Sequence, residues 1–355
     1  MIWMDRWKLC STSTEWHHPK YSRHSGPVHV LDASITPLEC FTFNLFYAEQ
    51  IFWDIVDFAN ENARRRNESD ANNNKGDWKM LMMDELIVYY GHVIVKDIIK
   101  LDRDAHCWHQ GSKHFFLYTR SGNVMRRDRF FQIRWYLYFV DPWDPVNAAD
   151  KLHKIWYILN SVCQNFRDEY VPHEHVTVDE AMVPFKGHLG FRQFMKEKAV
   201  KFGIKLWVMA GSGTAYCYNL EVYTGKHGQQ IKRLMGLSAQ VITGLTKPIH
   251  NFGHIIYMDD FYTSPILAKY LASWKTYLCG TMRPNHLGYP ADIIRMNAEA
   301  WHLPQGSSNW RQCDYSSMLA TAWKANSWSA TCLLPTPLMR KNHRASPNDR
   351  GMAQR

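Results

Sequence analysis

The chain has 355 residues, of which 46% are hydrophobic and 14% aromatic, so it can bury a large core and lacks the composition of a disordered protein. It carries 42 Lys and Arg against 33 Asp and Glu, and the formal charge of +9 favours polyanionic partners. The 8 cysteines form no Cys-x-x-Cys pair, which argues against a disulfide-rich secreted domain and for reduced thiols inside a cell. The N-terminus does not read as a signal peptide, and the most apolar run, residues 86–95, is too short to cross a bilayer, so no membrane role is expected.

The N-terminal half predicts helices. Residues 1–32 are polar and irregular, which predicts a flexible leader. Thr36-Pro37-Leu38-Glu39 is a capping box with proline at the first helical position, and apolar residues then repeat at helical spacing up to Ala59. The Asn-rich stretch 60–77 predicts a mobile loop. Further helices are predicted to begin at Asp84 and to cover residues 126–138 and 152–166, so that residues 33–170 are all helical.

After Pro172 the pattern changes to short β-branched and apolar runs, which predict strands. The predicted strands are 175–179, 205–209, 216–223, 254–259 and 276–280. Gly211-Ser212-Gly213 predicts a hairpin turn, and Ser264-Pro265 predicts the start of a helix before the last strand. This order of elements predicts an α/β layered domain with a mixed sheet.

Two acidic residues follow apolar strand patterns in this half. Asp179 and Asp259 are each expected to end a strand, and carboxylates at the ends of neighbouring strands can share one or two Mg²⁺ ions. Such a metal pair can activate a water or a 3′-hydroxyl for phosphodiester displacement. An aspartate in this position can equally serve as a turn or cap residue, and spacing alone leaves both interpretations open.

Five sequence blocks resemble, in order, the motifs of the piggyBac family of DNA transposases. The first is Val178-Asp179-Glu180-Ala181-Met182-Val183-Pro184-Phe185-Lys186-Gly187. The others are residues 201–207 (KFGIKLW), 221–225 (EVYTG), 258–264 (MDDFYTS) and 279–285 (CGTMRPN). Weaker similarity extends the resemblance over roughly residues 33–334.

The resemblance implies an RNase H-like mixed sheet, preceded by a helical dimerisation and DNA-binding region. It implies Mg²⁺-dependent hairpin-forming excision and strand transfer at TTAA targets, with Asp179 as the first catalytic metal ligand and Asp259 as the second. The implied domains are a leader (1–32), the helical region (33–170), the RNase H-like core (171–285), a partial insertion region (286–334) and a disordered basic tail (335–355). Double-stranded DNA is the expected partner, a homodimer is open, a nuclear location is expected, and no small-molecule substrate is expected.

Three departures from the family pattern bear on activity. Asp259 is followed by Asp260 where the family usually has Asn, and this second carboxylate is expected to raise one pKa or to compete for metal. Gly211 stands where the family often shows an acid. The family's last catalytic carboxylate, in a Gly-Val-Asp-x-x-Asp-Gln type motif, has no counterpart in these 355 residues, and Asp314 is a poor substitute because its context is turn-like.

These departures predict an RNase H-like sheet that is incomplete at its C-terminal end and a transposase-derived DNA-binding protein without catalytic activity of its own. One alternative is an active Mg²⁺-dependent transposase or endonuclease whose missing ligand comes from elsewhere. A second is a truncated, non-functional transposon product or an interaction module.

Two groups of basic residues are candidates for contacts with the DNA backbone. The first group follows Asp179 and contains Lys186, Arg192, Lys196, Lys198, Lys201 and Lys205. The second group, on a predicted helix, contains Arg126, Arg127, Arg129 and Arg134. Either group can instead be a solvated surface, because charged runs commonly face water.

Overall fold

A computed structural model of the chain describes residues 8–9, 20–28, 36, 49–69, 78–99, 107–108, 124–142, 150–196, 198–225, 236–283, 286, 288–289, 308–313, 316–324 and 327–334. The chain divides into two compact units. Residues 31–165 form the helical unit, and residues 1–30 with 166–355 form the sheet unit. The predicted tail (335–355) and most of the predicted capping box lie outside the described residues.

The helical unit is built on helices whose apolar faces meet. They are α1 (Glu49–Ser69), α2 (Met83–Ile99), α3 (Arg127–Tyr136), a 3₁₀ turn (His153–Ile155) and α4 (Trp156–Glu169), whose last four residues belong to the sheet unit. A buried cluster joins the first three through side chains such as Ile55, Leu86 and Ile133. None of the described helices is long and apolar enough to cross a membrane.

The first helix runs further than the sequence predicts. We expected a loop from residue 60, but α1 continues to Ser69, so that expectation is wrong for residues 60–69. Asn60 Oδ1 accepts hydrogen bonds from Trp78 Nε1 (3.0 Å) and Leu81 N (2.8 Å), and Asn62 Nδ2 donates to the Tyr136 carbonyl (2.8 Å). These tertiary contacts offset the weak helix propensity of asparagine.

The sheet unit contains the predicted strands in the predicted order. They are β4 (His175–Pro184), β6 (Phe202–Gly211), β7 (Cys217–Val222), β8 (Ile255–Met258) and β9 (Tyr277–Thr281). Two short strands, β3 (Tyr170–Val171) and β5 (Gln193–Phe194), were not predicted. Strands β4, β6 and β7 pair antiparallel, and β8 and β9 join β4 in parallel. The resulting order β7-β6-β4-β8-β9 is a mixed sheet of the RNase H type, as expected.

One face of this sheet is covered by helices α5 (Gly236–Thr246) and α6 (Pro265–Ser273), and a 3₁₀ turn (Lys247–Ile249) follows α5. Alternate residues of β4, β6 and β8, such as Val178, Met209 and Ile256, form the core with Leu245 and Leu267 of the two helices. The alternation leaves the intervening residues of each strand on the other face of the sheet.

Three further strands extend the sheet beyond β9. They are β10 (Ser308–Cys313), β11 (Ser316–Lys324) and β12 (Ser327–Leu334), which form an antiparallel ribbon, with β12 antiparallel to β9. Strand β1 (Lys8–Leu9) pairs with β10. The segment predicted to be a partial insertion region therefore continues the sheet in its described part.

The N-terminal segment contributes to the sheet unit. Strand β2 (Gly26–Pro27) pairs with β3, and the Tyr21 hydroxyl donates to the carbonyl oxygen of Pro172 at 2.6 Å. Ser22 N donates to the Phe252 carbonyl at 3.2 Å. The prediction of a flexible leader is thus wrong for residues 20–28. Their partners all lie more than 140 residues further along the chain, so no local sequence pattern marks them.

Candidate metal and nucleic-acid site

Asp179 lies in β4, and Asp259 directly follows β8, the strand that pairs with β4 in parallel. In the parallel pair of β4 and β8, Thr177 is opposite Tyr257. Asp179 comes two residues after Thr177 within β4 and so belongs to the same face, whereas Asp259 comes two residues after Tyr257, just beyond the end of β8. The negative charge of Asp179 contributes to the raised pKa of Asp259, so the two carboxylates share one electrostatic neighbourhood.

The two aspartates differ in their local structure. Asp259 is the first residue after β8, as expected, but Asp179 lies inside β4, where it pairs with Val208 of β6. The prediction that Asp179 ends a strand is therefore wrong. Strand β4 outlasts its pairing with β8 because β6 continues beside it as far as Pro184.

The backbone after β8 holds Asp259 in place. Its Oδ1 atom accepts a hydrogen bond from Phe261 N at 3.1 Å, and its carbonyl accepts from the Thr263 hydroxyl at 2.7 Å. Ser264 then caps α6 by accepting from Leu267 N, so the sequence from Asp259 to Ser264 is a tight turn into a helix.

Four carboxylates surround this turn: Asp179, Glu180, Asp259 and Asp260. Three have a basic partner: Lys198 Nζ is 3.5 Å from Asp179 Oδ2, Lys205 Nζ is 3.1 Å from Glu180 Oε1, and Arg283 Nη2 is 2.8 Å from Asp260 Oδ1. Among the described residues, Asp259 has no basic side chain at such a distance. Its charge still interacts with the Arg283 guanidinium, whose pKa it helps to raise.

The electrostatic surroundings of Asp259 oppose its ionisation. Burial raises the pKa of this carboxyl, and the hydrogen bond from Phe261 lowers it in part. The negative charges of Glu180, Asp260 and Asp179 raise the pKa further. A divalent cation at this carboxylate would relieve that repulsion.

Glu180 has a structural role that the sequence did not indicate. Burial favours its neutral form, but hydrogen bonds from the Tyr262 hydroxyl (2.7 Å) and from Lys205 hold the pKa of Glu180 below its ordinary value. Burial raises the pKa of Tyr262, and its hydrogen bond to Glu180 raises that pKa further. Because Glu180 is adjacent to Asp179 in a strand, it belongs to the opposite face, the one that carries the core.

Asp260 was expected to raise one pKa or to compete for metal. The structure pairs it with Arg283, whose hydrogen bond lowers the pKa of Asp260. Asp260 is also one of the charges that raise the pKa of Asp259. Arg283 lies in the last of the five sequence blocks, but nothing in the sequence indicated its partner.

The two aspartates suit a hard cation. Mg²⁺ is commonly bound by one or two carboxylates together with waters and phosphate oxygens, so Asp179 and Asp259 fit that donor set. No group of three or more His, Cys, Asp or Glu side chains that could hold a metal occurs in the described part of the chain.

The basic residues after Asp179 separate into two sets. Lys186, Arg192, Lys196 and Lys201 are exposed. Lys198 and Lys205 turn towards the acids, and the Lys205 side chain is only 15% exposed. These two predicted DNA contacts thus serve the carboxylate cluster in this structure.

The basic residues of the helical unit also differ in their availability. Arg126, Arg127 and Arg134 are exposed on or beside α3. Arg129 makes two 2.7 Å hydrogen bonds to Glu85 and lies 4.7 Å from the centre of the Trp78 ring. Its groups are used within the helical unit, so we leave it out of a DNA surface.

Comparison with known proteins assigns the chain to a family. The profile of the transposase family described as Transposase IS4 matches residues 36–346, and the matching curated proteins include two human piggyBac transposable element-derived proteins. The chain belongs to the piggyBac-type transposase family. The human piggyBac transposable element-derived protein 3 is 28% identical over 259 residues, which cover 71% of this chain and 40% of that protein. The human piggyBac transposable element-derived protein 2 is 25% identical over 245 residues, covering 68% of this chain and 39% of that protein.

A solved piggyBac structure has the same fold. It is the piggyBac transposase synaptic complex with hairpin DNA, and it superposes with a TM-score of 0.70 at 24% identity. The match covers 88% of this chain and 63% of that transposase. The chain therefore spans well under two thirds of the length of the curated piggyBac relatives and slightly less than two thirds of the solved transposase.

Proposed function

We propose that this chain is a piggyBac transposase-derived nuclear protein that binds double-stranded DNA through its phosphate backbone. The observation that carries the proposal is the set of exposed basic side chains beside the two aspartates: Lys186, Arg192, Lys196 and Lys201. Such contacts give affinity without reading sequence. The hairpin DNA in the related transposase complex supports the same ligand class.

We also propose that this 355-residue polypeptide does not cut DNA by itself. Asp179 and Asp259 provide two ligands, and the family's third carboxylate motif does not occur in the sequence. Neither neighbouring acid is available as a substitute. Glu180 is 10% exposed and bound by Lys205, and Asp260 is paired with Arg283. Two ligands alone hold a catalytic ion pair poorly, which weakens the stabilisation of the displaced oxygens.

The main alternative is a Mg²⁺-dependent endonuclease or transposase that takes its third ligand from another chain. Asp179 and Asp259 each come two residues after the opposed pair Thr177 and Tyr257, and this matched register favours the alternative. A nicking and hairpin-formation assay with Mg²⁺ distinguishes the two. Cleavage that disappears in Asp179→Ala would establish the alternative.

Salt-dependent binding tests the DNA proposal. We expect affinity for duplex DNA to fall steeply with salt, and each of Lys186→Gln, Arg192→Gln, Lys196→Gln and Lys201→Gln to reduce the slope of log K against log salt by about 1. Lys247→Gln is the matched control, because Lys247 is exposed but precedes the opposite end of β8. Binding that is absent, or insensitive to salt and to the four changes, would favour the interaction-module alternative.

Two further parts of the proposal have direct tests. A fluorescent fusion of the chain should accumulate in the nucleus. The family resemblance supports a homodimer, and sedimentation of the 355-residue chain should then give twice its monomer mass of 41.8 kDa. A purely monomeric chain would remove the dimer from the proposal and leave DNA binding untouched.

A further inference from the structure

Two phenylalanines are exposed on the β5–β6 hairpin. Phe194 and Phe202 face each other across the two strands, with ring centroids 4.7 Å apart. Their exposed fractions are 57% and 55%, whereas aromatic residues of the same unit such as Trp207 and Tyr262 are only 1% exposed. Exposure of two large apolar rings to water is unfavourable for stability, which points to a ligand that covers them.

Several of the described side chains around the pair are cationic. The Arg192 guanidinium lies 5.8 Å from the centre of the Phe202 ring, and Lys196 and Lys201 are exposed in the turn that joins the two strands. Met195 N donates to the Lys201 carbonyl at 2.9 Å, which closes this turn and fixes the rings on it. The ligand that suits the surface therefore combines flat apolar faces with negative charge.

The same turn reaches the carboxylates. Lys198 lies between the two phenylalanines in sequence, and its Nζ atom is 3.5 Å from Asp179 Oδ2 and 3.1 Å from the Glu180 carbonyl. The aromatic pair and Asp179 are thus parts of one connected surface. Phe202 lies six residues along β6 from Val208, the residue opposite Asp179, which is about 20 Å of strand, so a DNA ligand several nucleotides long would reach both.

We propose that Phe194 and Phe202 stack against an unpaired base of DNA, so that the preferred substrate is a duplex with an unpaired or extruded base several nucleotides from the carboxylates. The proposal rests on the DNA binding proposed above and names its substrate class. In a continuous duplex both faces of each base are stacked and unavailable. An unpaired base offers a face that a ring can cover, and the nearby cations neutralise its phosphates.

A cross-strand aromatic pair can also serve simply to stabilise its hairpin. That role predicts a loss of thermal stability on substitution and no change in the choice between DNA forms. A protein partner that covers the rings predicts the same absence of DNA discrimination. The experiment therefore compares two DNA forms rather than measuring affinity for one.

The test measures binding of the whole chain to a continuous duplex and to the same duplex with a short single-stranded gap that contains 2-aminopurine. We expect the gapped duplex to bind about tenfold more tightly and the 2-aminopurine fluorescence to be quenched, because one base stacked on an aromatic ring contributes on this scale. Phe194→Leu and Phe202→Leu should remove most of this preference and the quenching. Their affinity for the continuous duplex should change less than about twofold.

Two variants make the result specific. Phe194→Tyr keeps a ring and should keep the preference. Trp274→Leu removes another exposed aromatic, 43% exposed, which follows α6 at the opposite end of the sheet, and it should change nothing. Melting curves of each variant identify any loss of folding.

The outcomes separate this inference from the broader proposal. Salt-dependent duplex binding without preference for the gap, or a preference that survives both leucine variants, overturns the stacking role and leaves the DNA-binding proposal standing. An absence of binding to either DNA form overturns both.

Discussion

At the scale of single residues, the surroundings of Asp259 disfavour the ionised form of its carboxyl group. Its pKa is raised by burial and by three neighbouring carboxylates, while Asp260 beside it has its pKa lowered by Arg283. Perturbed carboxyls of this kind concentrate at functional sites, where stability is given up for binding. The adjacent pair Asp259 and Asp260 therefore allows a comparison in which the same substitution should have opposite effects.

We predict that Asp259→Asn stabilises the protein at neutral pH. A raised pKa means that ionisation costs folding energy, and Asn keeps the oxygen that accepts from Phe261. The gain should be about 0.5 kcal/mol, as for partly solvated charges. It should disappear as pH falls through the folded pKa of Asp259 and the wild-type carboxyl becomes neutral. Urea unfolding at neutral pH and below pH 3.8 measures this.

Asp260→Asn is the control with the opposite sign. The lowered pKa of Asp260 means that its ionised form stabilises the fold, and that contribution is present above its unfolded pKa and lost as pH falls. The variant should therefore be slightly less stable than the wild type at neutral pH. If Asp259→Asn is also destabilising, the carboxylates around Asp259 do not repel one another as the structure indicates.

A second prediction concerns Lys198, whose ammonium group lies 3.5 Å from Asp179. A cation bound between Asp179 and Asp259 would compete with this group. Lys198→Met should therefore raise the affinity for Mn²⁺ or Mg²⁺ about threefold, the effect expected of one part-exposed ion pair. Titration calorimetry or the electron paramagnetic resonance of Mn²⁺ measures this affinity without any cleavage assay. Lys247→Met serves as the control, and an unchanged affinity in Lys198→Met would count against a cation site at Asp179.

At the scale of elements, the sequence predicted those parts that depend on local pattern. The strand order, the hairpin turn at Gly211 and the helix cap at Ser264 are all confirmed, because alternation, glycine and a capping hydroxyl are local signals. The Glu180 network and the Arg283 partner were missed, since they join residues that are distant in sequence. The extension of α1 past Asn60 was missed for the same reason.

The close approach of β9 to β8 leads to a third prediction, at Gly280. A Cβ atom there would lie 2.2 Å from the Met258 carbonyl oxygen and 2.5 Å from the Thr263 hydroxyl. Gly280→Ala should therefore push the strands apart at the turn that holds Asp259, at a cost of about 1–3 kcal/mol. Urea unfolding measures the loss of stability. Titration calorimetry with Mn²⁺ should show weaker binding as well.

Gly244 provides the matched substitution in the same unit. It lies inside α5, and an added Cβ there meets a side-chain oxygen of Glu221 at an ordinary 3.7 Å. Gly244→Ala should stabilise the protein by about 0.5–1 kcal/mol because glycine is a poor helix former. Equal effects of the two substitutions would show that strand approach at Gly280 does not constrain the site.

At the scale of the whole molecule, the sheet unit is closed by a segment from the far end of the chain. Residues 20–28 bond to Pro172 and Phe252, and the Tyr21 ring lies 4.9 Å from the ring of His254 at an edge-to-face angle. Burial lowers the pKa of His254 to about 4. The ring is completely buried, so part of its cover depends on an element that precedes the helical unit in sequence.

We therefore predict that removal of residues 1–28 destabilises the sheet unit. Loss of the hydrogen bonds to Pro172, Phe252 and Glu169 should lower the free energy of unfolding by about 2–4 kcal/mol. It should also let the pKa of His254 rise towards 6.5. A histidine whose folded pKa is lowered stabilises the protein above pH 6.5, and this contribution is lost as pH falls towards 4. The truncated chain should thus lose less stability over that interval than the intact chain.

Urea unfolding across that pH range, and the NMR titration of the His254 ring, measure the two effects separately. Tyr21→Phe removes only the hydroxyl that donates to Pro172, so it should cost about 1 kcal/mol and leave His254 covered. If the truncated chain keeps the stability and pH dependence of the intact chain, residues 20–28 are a leader after all. Stability of the sheet unit would then reside entirely in residues 166–355, and the pairing of β2 with β3 would contribute nothing to it.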